Sequence, residues 1–522
     1  MDLPIKIGML VVFFGIMIGV GIYCRKHSTN VDGFVLGGRS VGPWLTAFAY
    51  GTSYFSAVVF VGYAGQFGWK YGIAATWAGI GNAIIGSLMA WAILGRRTRI
   101  MTQHLNSATM PQFFESRFNS KGLKIAASVI IFIFLIPYTA SLYNGLSRLF
   151  GMAFNIDYSV CVIAMAVLTA VYVIVGGYMA TAINDFIQGL VMLVGIIAVI
   201  FAVLKGQGGL TEAVQKLAQV SDPEVSQTPG VFTSFLGPNP RDLIGVVLLT
   251  SMGTWGLPQM VQKFYAIKSE KAITKGMIIS TVFALIVAGG CYFLGGFGRL
   301  FGDRFDLATE GFDAIIPAML SDLSPFLIAI VVVLVLSASM STLSSLVLTS
   351  SSTLTLDFIR GTVVKKLGEK KQLLIIRILV AVFISISVVI AIIQHKSNVT
   401  FIAQLMGVSW GALAGAFLAP FLLGLYWKRA TKLSVWVSFL FSSVVMVANI
   451  FVGKYFPPIL QSPINAGVFC MFAGFVLVPV VSLFSKPPEK EHITQVFSCY
   501  EKKVIVSAAD AIGEEIQKEE AK

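Results

Sequence analysis

Long apolar stretches constrain this chain more than any other feature. A helix that crosses a bilayer needs roughly 20 mostly apolar residues. Windows of that kind lie near 3–23, 43–68, 72–94, 122–148, 157–177, 183–204, 242–266, 273–295, 323–354, 373–394, 399–426, 432–452 and 463–485. Only 12% of the 522 residues are charged, against about 25% in an average soluble domain. The pattern predicts an all-α polytopic membrane protein with about thirteen transmembrane helices. It excludes a soluble enzyme, a nucleic-acid binder and a secreted disulfide scaffold.

The basic residues predict the orientation. Lys and Arg collect in cytoplasmic loops of membrane proteins. With the N-terminus outside, 28 of the 38 Lys and Arg residues fall in inner segments or the C-terminal tail. We therefore expect a multi-pass protein of the cell membrane with the N-terminus outside and the C-terminus in the cytoplasm. The net charge of +13 follows from these loops and does not indicate a nucleic-acid partner.

Several site types find no support in the sequence. The five cysteines are scattered without a CxxC pair, which predicts neither a disulfide framework nor a zinc site. No GxxxxGK[ST] pattern for ATP binding is present, so an ion gradient is the expected energy source. The first apolar stretch has no clear small-x-small cleavage site and is interpreted as a retained helix.

Two of the predicted spans contain matched interruptions. Span 2 carries AYGTSYFS at 49–56 and span 7 carries SMGTWGLPQ at 251–259. Unwound backbone at membrane depth is tolerated where it lines a cavity, and broken helices five spans apart are typical of inverted-repeat transporters. The alternative is that Gly and Ser merely allow close helix packing.

The predicted domain boundaries follow from these interruptions. They are 1–41 for the first helix and an inner loop, 42–205 for a first repeat of spans 2–6, 206–240 for an outer loop, 241–427 for a second repeat of spans 7–11, 428–485 for two extra spans and 486–522 for a cytoplasmic tail.

Hydroxyl side chains cluster in span 9, in the stretch SASMSTLSS at 337–345. Ala338, Ser341 and Thr342 share one helix face by the i, i+3, i+4 rule. Two hydroxyls and a carbonyl, with carbonyls freed in span 2, would suit Na⁺, a hard cation that prefers oxygen ligands. The alternative is a packing stripe whose serines bond to the carbonyl four residues earlier.

Asp185 is the acidic residue placed nearest the membrane interior, close to a predicted span end. A charge at the bilayer centre costs roughly 2.5–3.5 kcal/mol on insertion scales. Asp185 either caps a helix N-terminus or takes part in ion coupling.

Taken in order, these motifs resemble the sodium:solute symporter family, in its pantothenate and proline permease-like branch. The resemblance runs from about residue 10 to 485. It rests on FVLGGRSVG at 34–42, TMP at 109–111 with RF at 117–118, GG at 176–177 with ND at 184–185 and QG at 188–189, MSTL at 340–343, and GLYW at 424–427.

The resemblance implies specific site residues. Na⁺ would be held by the carbonyls of Thr52, Phe55 and Ala338 and the hydroxyls of Ser341 and Thr342. Arg39 and Asp185 would be coupling residues. The solute would contact residues of spans 2, 4 and 7, namely Ser53, Tyr54, Ser56, Tyr138, Ser141, Trp255 and Gln259. The sequence departs from proline permeases at Tyr54, where they carry an aspartate, and is similar to pantothenate permeases there.

The expected function is therefore Na⁺-coupled symport of a small organic solute by alternating access, without enzymatic activity. The solute would be a pantothenate-like carboxylate or an amino acid such as proline. The expected partners are the solute, Na⁺ and the lipid bilayer, and the chain is expected to be a monomer. Two alternatives remain open: an H⁺-coupled symporter and a non-transporting membrane sensor of a solute.

Overall fold

Helices are the only extended regular secondary structure in the part of the chain that the structure describes. The structure is a computed structural model, and it describes residues 2–27, 29–154, 157–226, 228–364, 367–397 and 402–501. Within these ranges the backbone forms isolated bridges but no β-strand. The predicted all-α class is therefore confirmed.

Sixteen helices are used here to describe the fold. They are α1 Asp2–Cys24, α2 Pro43–Tyr54, α3 Val58–His104, α4 Met110–Phe118, α5 Lys121–Phe154, α6 Tyr158–Gly206, α7 Leu210–Gln219, α8 Pro240–Gly256, α9 Pro258–Ala266, α10 Glu270–Gly295, α11 Pro325–Thr353, α12 Glu369–Ser397, α13 Ile402–Tyr426, α14 Lys432–Val452, α15 Pro463–Phe484 and α16 Lys490–Phe497. A π-helix, Leu354–Val363, extends α11.

Ten helices in the described ranges are long and apolar enough to cross a membrane, or eleven when the bent pair α8 and α9 counts as one span. Two of the ten, α3 and α6, have 47 and 49 residues. At about 1.5 Å per residue each is more than twice as long as the roughly 30 Å hydrocarbon core. Glycines with positive φ interrupt both, at Gly72 (φ 62°) and Gly177 (φ 58°). The expected thirteen spans require two crossings from each, and that number stays a prediction.

Both predicted interruptions are present. The first helix of span 2, α2, ends at Tyr54, and the chain is extended at Phe55 before α3 begins. In span 7, α8 and α9 meet at an angle of 49° across the extended Leu257, and Pro258 opens α9. Proline suits a first helical position because its missing N–H would have no intrahelical partner there. Each span is therefore built from two half-helices.

The helices differ in how much of their surface is buried. The apolar windows of α13 and α11 are 89% and 78% buried, whereas that of α1 is 22% buried. The outward faces of α6 and α14 expose large apolar side chains such as Phe201 and Phe451. Exposed apolar surface of this extent marks contact with lipid or another apolar partner. We conclude that α11 and α13 form the core and that α1 and α14 lie at the periphery.

Backbone-to-backbone packing joins the first part of α3 to α10. A Cβ added at Gly68 would lie 1.9 Å from the Gly295 carbonyl oxygen, and one added at Gly295 would lie 2.0 Å from the Ala64 carbonyl oxygen. Only glycine permits this approach, because any side chain would overlap the facing backbone. The second half of span 2 and α10 are therefore in direct main-chain contact.

The first part of the tail, through residue 501, folds back onto the helix ends, while residues 502–522 lie outside the described part. The Arg97 guanidinium lies 4.1 Å from the ring centre of Tyr426 and 4.6 Å from that of Tyr500. Arg117 lies 4.9 Å from the ring of Phe497 and donates to the Gly424 carbonyl at 2.8 Å. Burial lowers the pKa of Arg117 to about 10, so its side chain stays charged at neutral pH. These contacts tie α16 and the turn that follows it to α3 and α4, and through them to the end of α13.

Candidate functional site

The break between α2 and α3 frees a backbone carbonyl. The Phe55 amide donates to the Gly51 carbonyl at 3.1 Å, and the helix stops there because Phe55 is extended (φ −103°, ψ 101°). No backbone amide of the described residues donates to the carbonyl of Thr52, which is fully buried. A buried carbonyl without its helical partner needs another one.

Two hydroxyls of α11 meet this carbonyl. Ser341 Oγ and Thr342 Oγ1 each lie 3.2 Å from the Thr52 oxygen. The same hydroxyls lie 3.2 and 3.1 Å from the Ala338 carbonyl oxygen. Ser341 Oγ also lies 2.8 Å from the Ser337 carbonyl oxygen of its own helix. The bond to the carbonyl four residues earlier, which a packing stripe of serines would form, is therefore present as well. Four oxygens from segments almost 290 residues apart thus form one compact, buried group, which we call the oxygen cage.

The oxygen cage has the chemistry of a site for a monovalent hard cation. Its members are neutral carbonyl and hydroxyl oxygens, the ligands that such cations prefer. Each hydroxyl can turn its lone pairs toward an ion by giving up a bond to its own helix. Half-helix ends that offer unwound carbonyls are the usual Na⁺ sites of inverted-repeat transporters. The donor set therefore fits Na⁺.

Phe55 stands slightly apart from the cage. Its carbonyl accepts no hydrogen bond from the described residues, and its ring stacks on Tyr54 with the centroids 4.3 Å apart. The carbonyl is close in sequence to Thr52, but neither the Ser341 nor the Thr342 hydroxyl hydrogen-bonds to it. Its role as a fifth ligand stays a prediction.

The hydroxyls of span 2 expected to contact solute are engaged within the protein. Ser53 Oγ lies 2.8 Å from Ser345 Oγ. The Tyr54 hydroxyl donates to the Thr250 carbonyl of α8, and Ser56 Oγ accepts from the Val58 amide at 3.2 Å. The bonds of Ser53 and Tyr54 link span 2 to α11 and α8, whereas the Ser56 hydroxyl is still able to donate.

An aromatic group adjoins the break. The ring of Trp410 on α13 lies 6.1 Å from that of Tyr54 and 6.0 Å from that of Tyr138 on α5, measured between centroids. The Tyr138 hydroxyl lies beside Ser56 and Trp410 but makes no hydrogen bond of normal geometry with a described residue. Ser141 donates to the Tyr138 carbonyl at 2.7 Å and is occupied. A ligand could therefore bond to the buried Tyr138 hydroxyl without breaking a well-aligned hydrogen bond.

The break in span 7 carries two of the predicted solute contacts, Trp255 and Gln259, and they differ in their hydrogen bonding. Trp255 Nε1 donates to the Ile85 carbonyl at 3.0 Å. Gln259 is fully buried, and neither of its amide atoms has a hydrogen-bond partner among the described residues. A buried polar atom left unpaired costs about 1–3 kcal/mol. Of the seven predicted solute contacts, Tyr138 and Gln259 are the two that the fold leaves unsatisfied.

Tyr138→Phe should separate solute binding from folding. Because the Tyr138 hydroxyl makes no well-aligned hydrogen bond in the described part of the chain, its removal should cost the empty protein little, and the melting temperature should change little. If a solute bonds to that hydroxyl, the KM for uptake should rise about tenfold, as expected for a loss of about 1.4 kcal/mol.

Tyr143→Phe is the matched control for Tyr138→Phe. Tyr143 lies five residues further along α5, and its buried hydroxyl also has no partner among the described residues. Its KM should not change. Equal KM values for Tyr138→Phe and the parent protein would remove Tyr138 from the solute site.

The comparisons with known proteins agree with this geometry. The model of the sodium:solute symporter family matches residues 34–441. The chain belongs to this family. A sodium/proline symporter of Staphylococcus aureus strain JH9 is 30% identical over 485 residues, 91% of each chain, and that of strain NCTC 8325 matches equally. A Na⁺-coupled sialic acid symporter, solved outward-open with substrate bound, has a TM-score of 0.73 at 17% identity, covering 93% of this chain and 99% of that one. Na⁺ is therefore the co-transported ion, and the protein is a multi-pass membrane symporter of a solute.

Arg39 of this symporter ties three segments together. Its guanidinium donates to the Ser107 carbonyl at 2.7 Å and to the Tyr265 carbonyl at 3.4 Å. Beside it, the Lys268 amide donates to the Val41 carbonyl at 3.0 Å. Burial lowers the pKa of Arg39, and nearby Asp32 partly offsets the shift. The segment just before α2 is thus bonded to the end of α9 and to the residue that follows it.

Asp185 lies within α6, eight residues beyond the Gly177 kink, and is fully buried. Because it lies more than two turns inside the helix and not at its start, the helix-capping alternative is wrong. Neither of its carboxylate oxygens accepts a hydrogen bond from a described residue. The nearest cation is Lys263 on α9, with its Nζ 3.8 Å from Asp185 Oδ2. The structure therefore pairs a predicted coupling residue with a side chain that sequence reasoning left out.

Sequence reasoning missed three buried side chains. Lys263 lies at the end of an apolar window, was counted as an inner-loop charge, and is 2% exposed. Trp410 lies in an unbroken apolar stretch that carries no signal of a site. Asp357 follows the predicted end of span 9, yet it is fully buried and accepts from Thr109 at 2.7 Å and from Gln112 at 2.8 Å. Only the hydroxyl-rich sequence before Asp357 could have suggested that the helix continues.

Proposed function

We propose that this symporter moves a small organic solute together with Na⁺ bound in the oxygen cage. The observation that carries the proposal is the meeting of Ser341 and Thr342 with the unpaired Thr52 carbonyl, 3.2 Å from each hydroxyl. Ala338 completes the cage, and Phe55 is the proposed fifth ligand. An ion bound there joins α11 to the break in span 2, so its binding favours one arrangement of these helices over another.

The solute is proposed to lie between the two breaks, against Tyr138 and Gln259. Rearrangement of the bonds of Ser53, Tyr54, Ser56, Ser141 and Trp255 would admit it. A carboxylate-bearing solute suits this place, because half-helix N-termini at the breaks favour negative charge. Proline, the substrate named for the S. aureus relatives, and pantothenate both carry such a group. Proline permeases carry an aspartate at the position of Tyr54. In this protein the Tyr54 hydroxyl donates to the Thr250 carbonyl.

The proposed membrane arrangement has thirteen spans, the N-terminus outside and the C-terminus in the cytoplasm, in a monomer within the lipid bilayer. The count of thirteen follows if α3 and α6 each cross the membrane twice and if α8 and α9 together form one span. The two proposed five-span repeats, 42–205 and 241–427, begin at the two broken helices. In this orientation the Arg39 and Val41 contacts close the cytoplasmic side.

The Na⁺ gradient supplies the energy for accumulation. One Na⁺ crossing about 100 mV releases about 2.3 kcal/mol, and a tenfold concentration gradient adds about 1.4 kcal/mol. At one-to-one coupling a neutral solute could accumulate roughly 400-fold. A solute anion moving with one Na⁺ would lose the voltage contribution.

Uptake into proteoliposomes tests the proposal directly. We expect labelled proline or pantothenate to accumulate under an inward Na⁺ gradient and not in Na⁺-free buffer. Accumulation driven by a pH gradient without Na⁺ would support the H⁺-coupled alternative instead. Stabilisation of the purified protein by a solute that is never transported would indicate a sensor.

A further inference from the structure

A buried carboxylate of the symporter lacks the usual compensation. Asp185 is fully buried, and neither of its oxygens receives a hydrogen bond from any residue that the structure describes. An isolated buried charge is so costly that it is paired or neutralised in nearly every known case. A cation must therefore stand beside Asp185 whenever it is ionised.

The protein supplies that cation itself. Lys263 Nζ is 3.8 Å from Asp185 Oδ2, and the lysine side chain is 2% exposed. The ammonium donates to Ser345 Oγ at 3.0 Å and lies 5.2 Å from the ring centre of Tyr178. A carboxylate, a hydroxyl and an aromatic face thus surround one fixed positive charge.

This group adjoins the oxygen cage. Ser345 lies one helical turn beyond Ser341 and Thr342 on α11. Its hydroxyl also contacts Ser53 Oγ at 2.8 Å, and Ser53 is next to Thr52, whose carbonyl belongs to the cage. The chain Asp185–Lys263–Ser345–Ser53 therefore runs from α6 through α9 and α11 to the break in span 2.

We propose that the Lys263 ammonium is a built-in cation that occupies the place beside Asp185, so that this symporter binds a single Na⁺, in the oxygen cage. The inference rests on the proposed function of the cage. A carboxylate and a hydroxyl oxygen form an attractive place for a second hard cation, and the tethered ammonium excludes it. Lys263 is thus a positioning residue that sets the number of ions bound.

Lys263 also sets how much charge crosses the membrane in each transport cycle. An ammonium fixed to α9 stays with the protein through the transport cycle, whereas a second Na⁺ would cross with the solute. One Na⁺ per cycle contributes about 2.3 kcal/mol per 100 mV, and a second would double that. Lys263 therefore limits how steeply the solute can be concentrated.

Equilibrium binding of radiolabelled Na⁺ to the purified full-length protein tests the inference without knowledge of the solute. We expect one Na⁺ per chain for the parent protein and two for Lys263→Met, because Asp185 then lacks its partner. Lys263→Arg keeps a cation in place and should bind one. Lys263→Met combined with Asp185→Asn removes both charges and should also bind one.

Each result decides the matter. Two ions bound by the parent protein, or one by a folded Lys263→Met, would overturn the inference. Should Lys263→Met not fold, Asp185→Asn serves instead. It keeps one bound Na⁺ if Lys263 is the partner of Asp185, and it loses an ion if Asp185 holds Na⁺ in the parent protein. Absence of Na⁺ binding by the parent protein would contradict the proposed function of the cage, a different outcome from a count of two.

Discussion

Alanine at both Ser341 and Thr342 is expected to raise the Na⁺ concentration for half-maximal uptake by about a hundredfold or more. Each hydroxyl supplies one oxygen of the cage, and a hydrogen-bond-type contact to a charged group contributes about 1.5–3 kcal/mol. Since about 1.4 kcal/mol corresponds to a factor of ten, Thr342→Ala alone should raise that concentration at least tenfold. Uptake as a function of Na⁺ concentration, measured at a fixed solute concentration, checks both variants.

Thr353→Ala is the matched control. Thr353 lies eleven residues beyond Thr342, on the same face of α11, and its hydroxyl bonds only to carbonyls of its own helix, those of Thr349 and Ser350. Its Na⁺ dependence should equal that of the parent protein. An unchanged Na⁺ dependence in the Ser341, Thr342 double variant would place the ion elsewhere, whatever the effect on maximal rate.

Gly295→Ala is expected to destabilise the fold severely. The added Cβ would lie 2.0 Å from the Ala64 carbonyl oxygen, and the contact is with backbone, which cannot turn aside as a flexible side chain can. Overpacking of a close-fitting interior costs about 1–3 kcal/mol and occasionally more. Because α3 and α10 must separate along their contact, we expect the upper end of this range. The melting temperature in detergent and the amount of protein in the membrane report the change.

Gly289→Ala provides the comparison within the same helix. A Cβ at Gly289 would meet no atom within 4 Å, and alanine forms helices more readily than glycine by about 1 kcal/mol. This variant should be as stable as the parent protein or slightly more so. Equal loss of stability in the two variants would mean that glycine is needed for backbone flexibility and not for close approach.

Much of the candidate site could be predicted because its signals are local. Breaks in helices require Gly, Pro and hydroxyl residues in one short stretch, and such stretches stand out at 49–56 and 251–259. Ser341 and Thr342 share a face with Ala338 through helix periodicity alone. The fold brings Thr52, Ala338, Ser341 and Thr342 together, and their role as Na⁺ ligands stays a prediction. The role of Phe55 as a ligand remains a prediction. Its backbone is extended, so helix periodicity does not tell where its carbonyl points.

The pairing of Asp185 with Lys263 could not be predicted from the sequence. Lys263 and Asp185 are 78 positions apart in helices that cross at an angle no pattern specifies. A lysine near the end of an apolar stretch is usually exposed at the membrane surface, where its long side chain can reach water. Here α9 begins after a 49° bend, and that bend carries Lys263 into the interior.

The sequence by itself determined that the chain is a helical membrane protein with two broken spans, because apolar length and helix-breaking residues act within a single segment. It also determined which hydroxyls could face an ion. Only the tertiary structure decided which of these polar groups are satisfied and which are left free. Ser53, Tyr54 and Trp255 find partners on other helices, whereas Tyr138 and Gln259 have no well-aligned partner among the described residues. Hydrogen bonding between distant segments depends on how helices pack, and packing is a property of the whole fold.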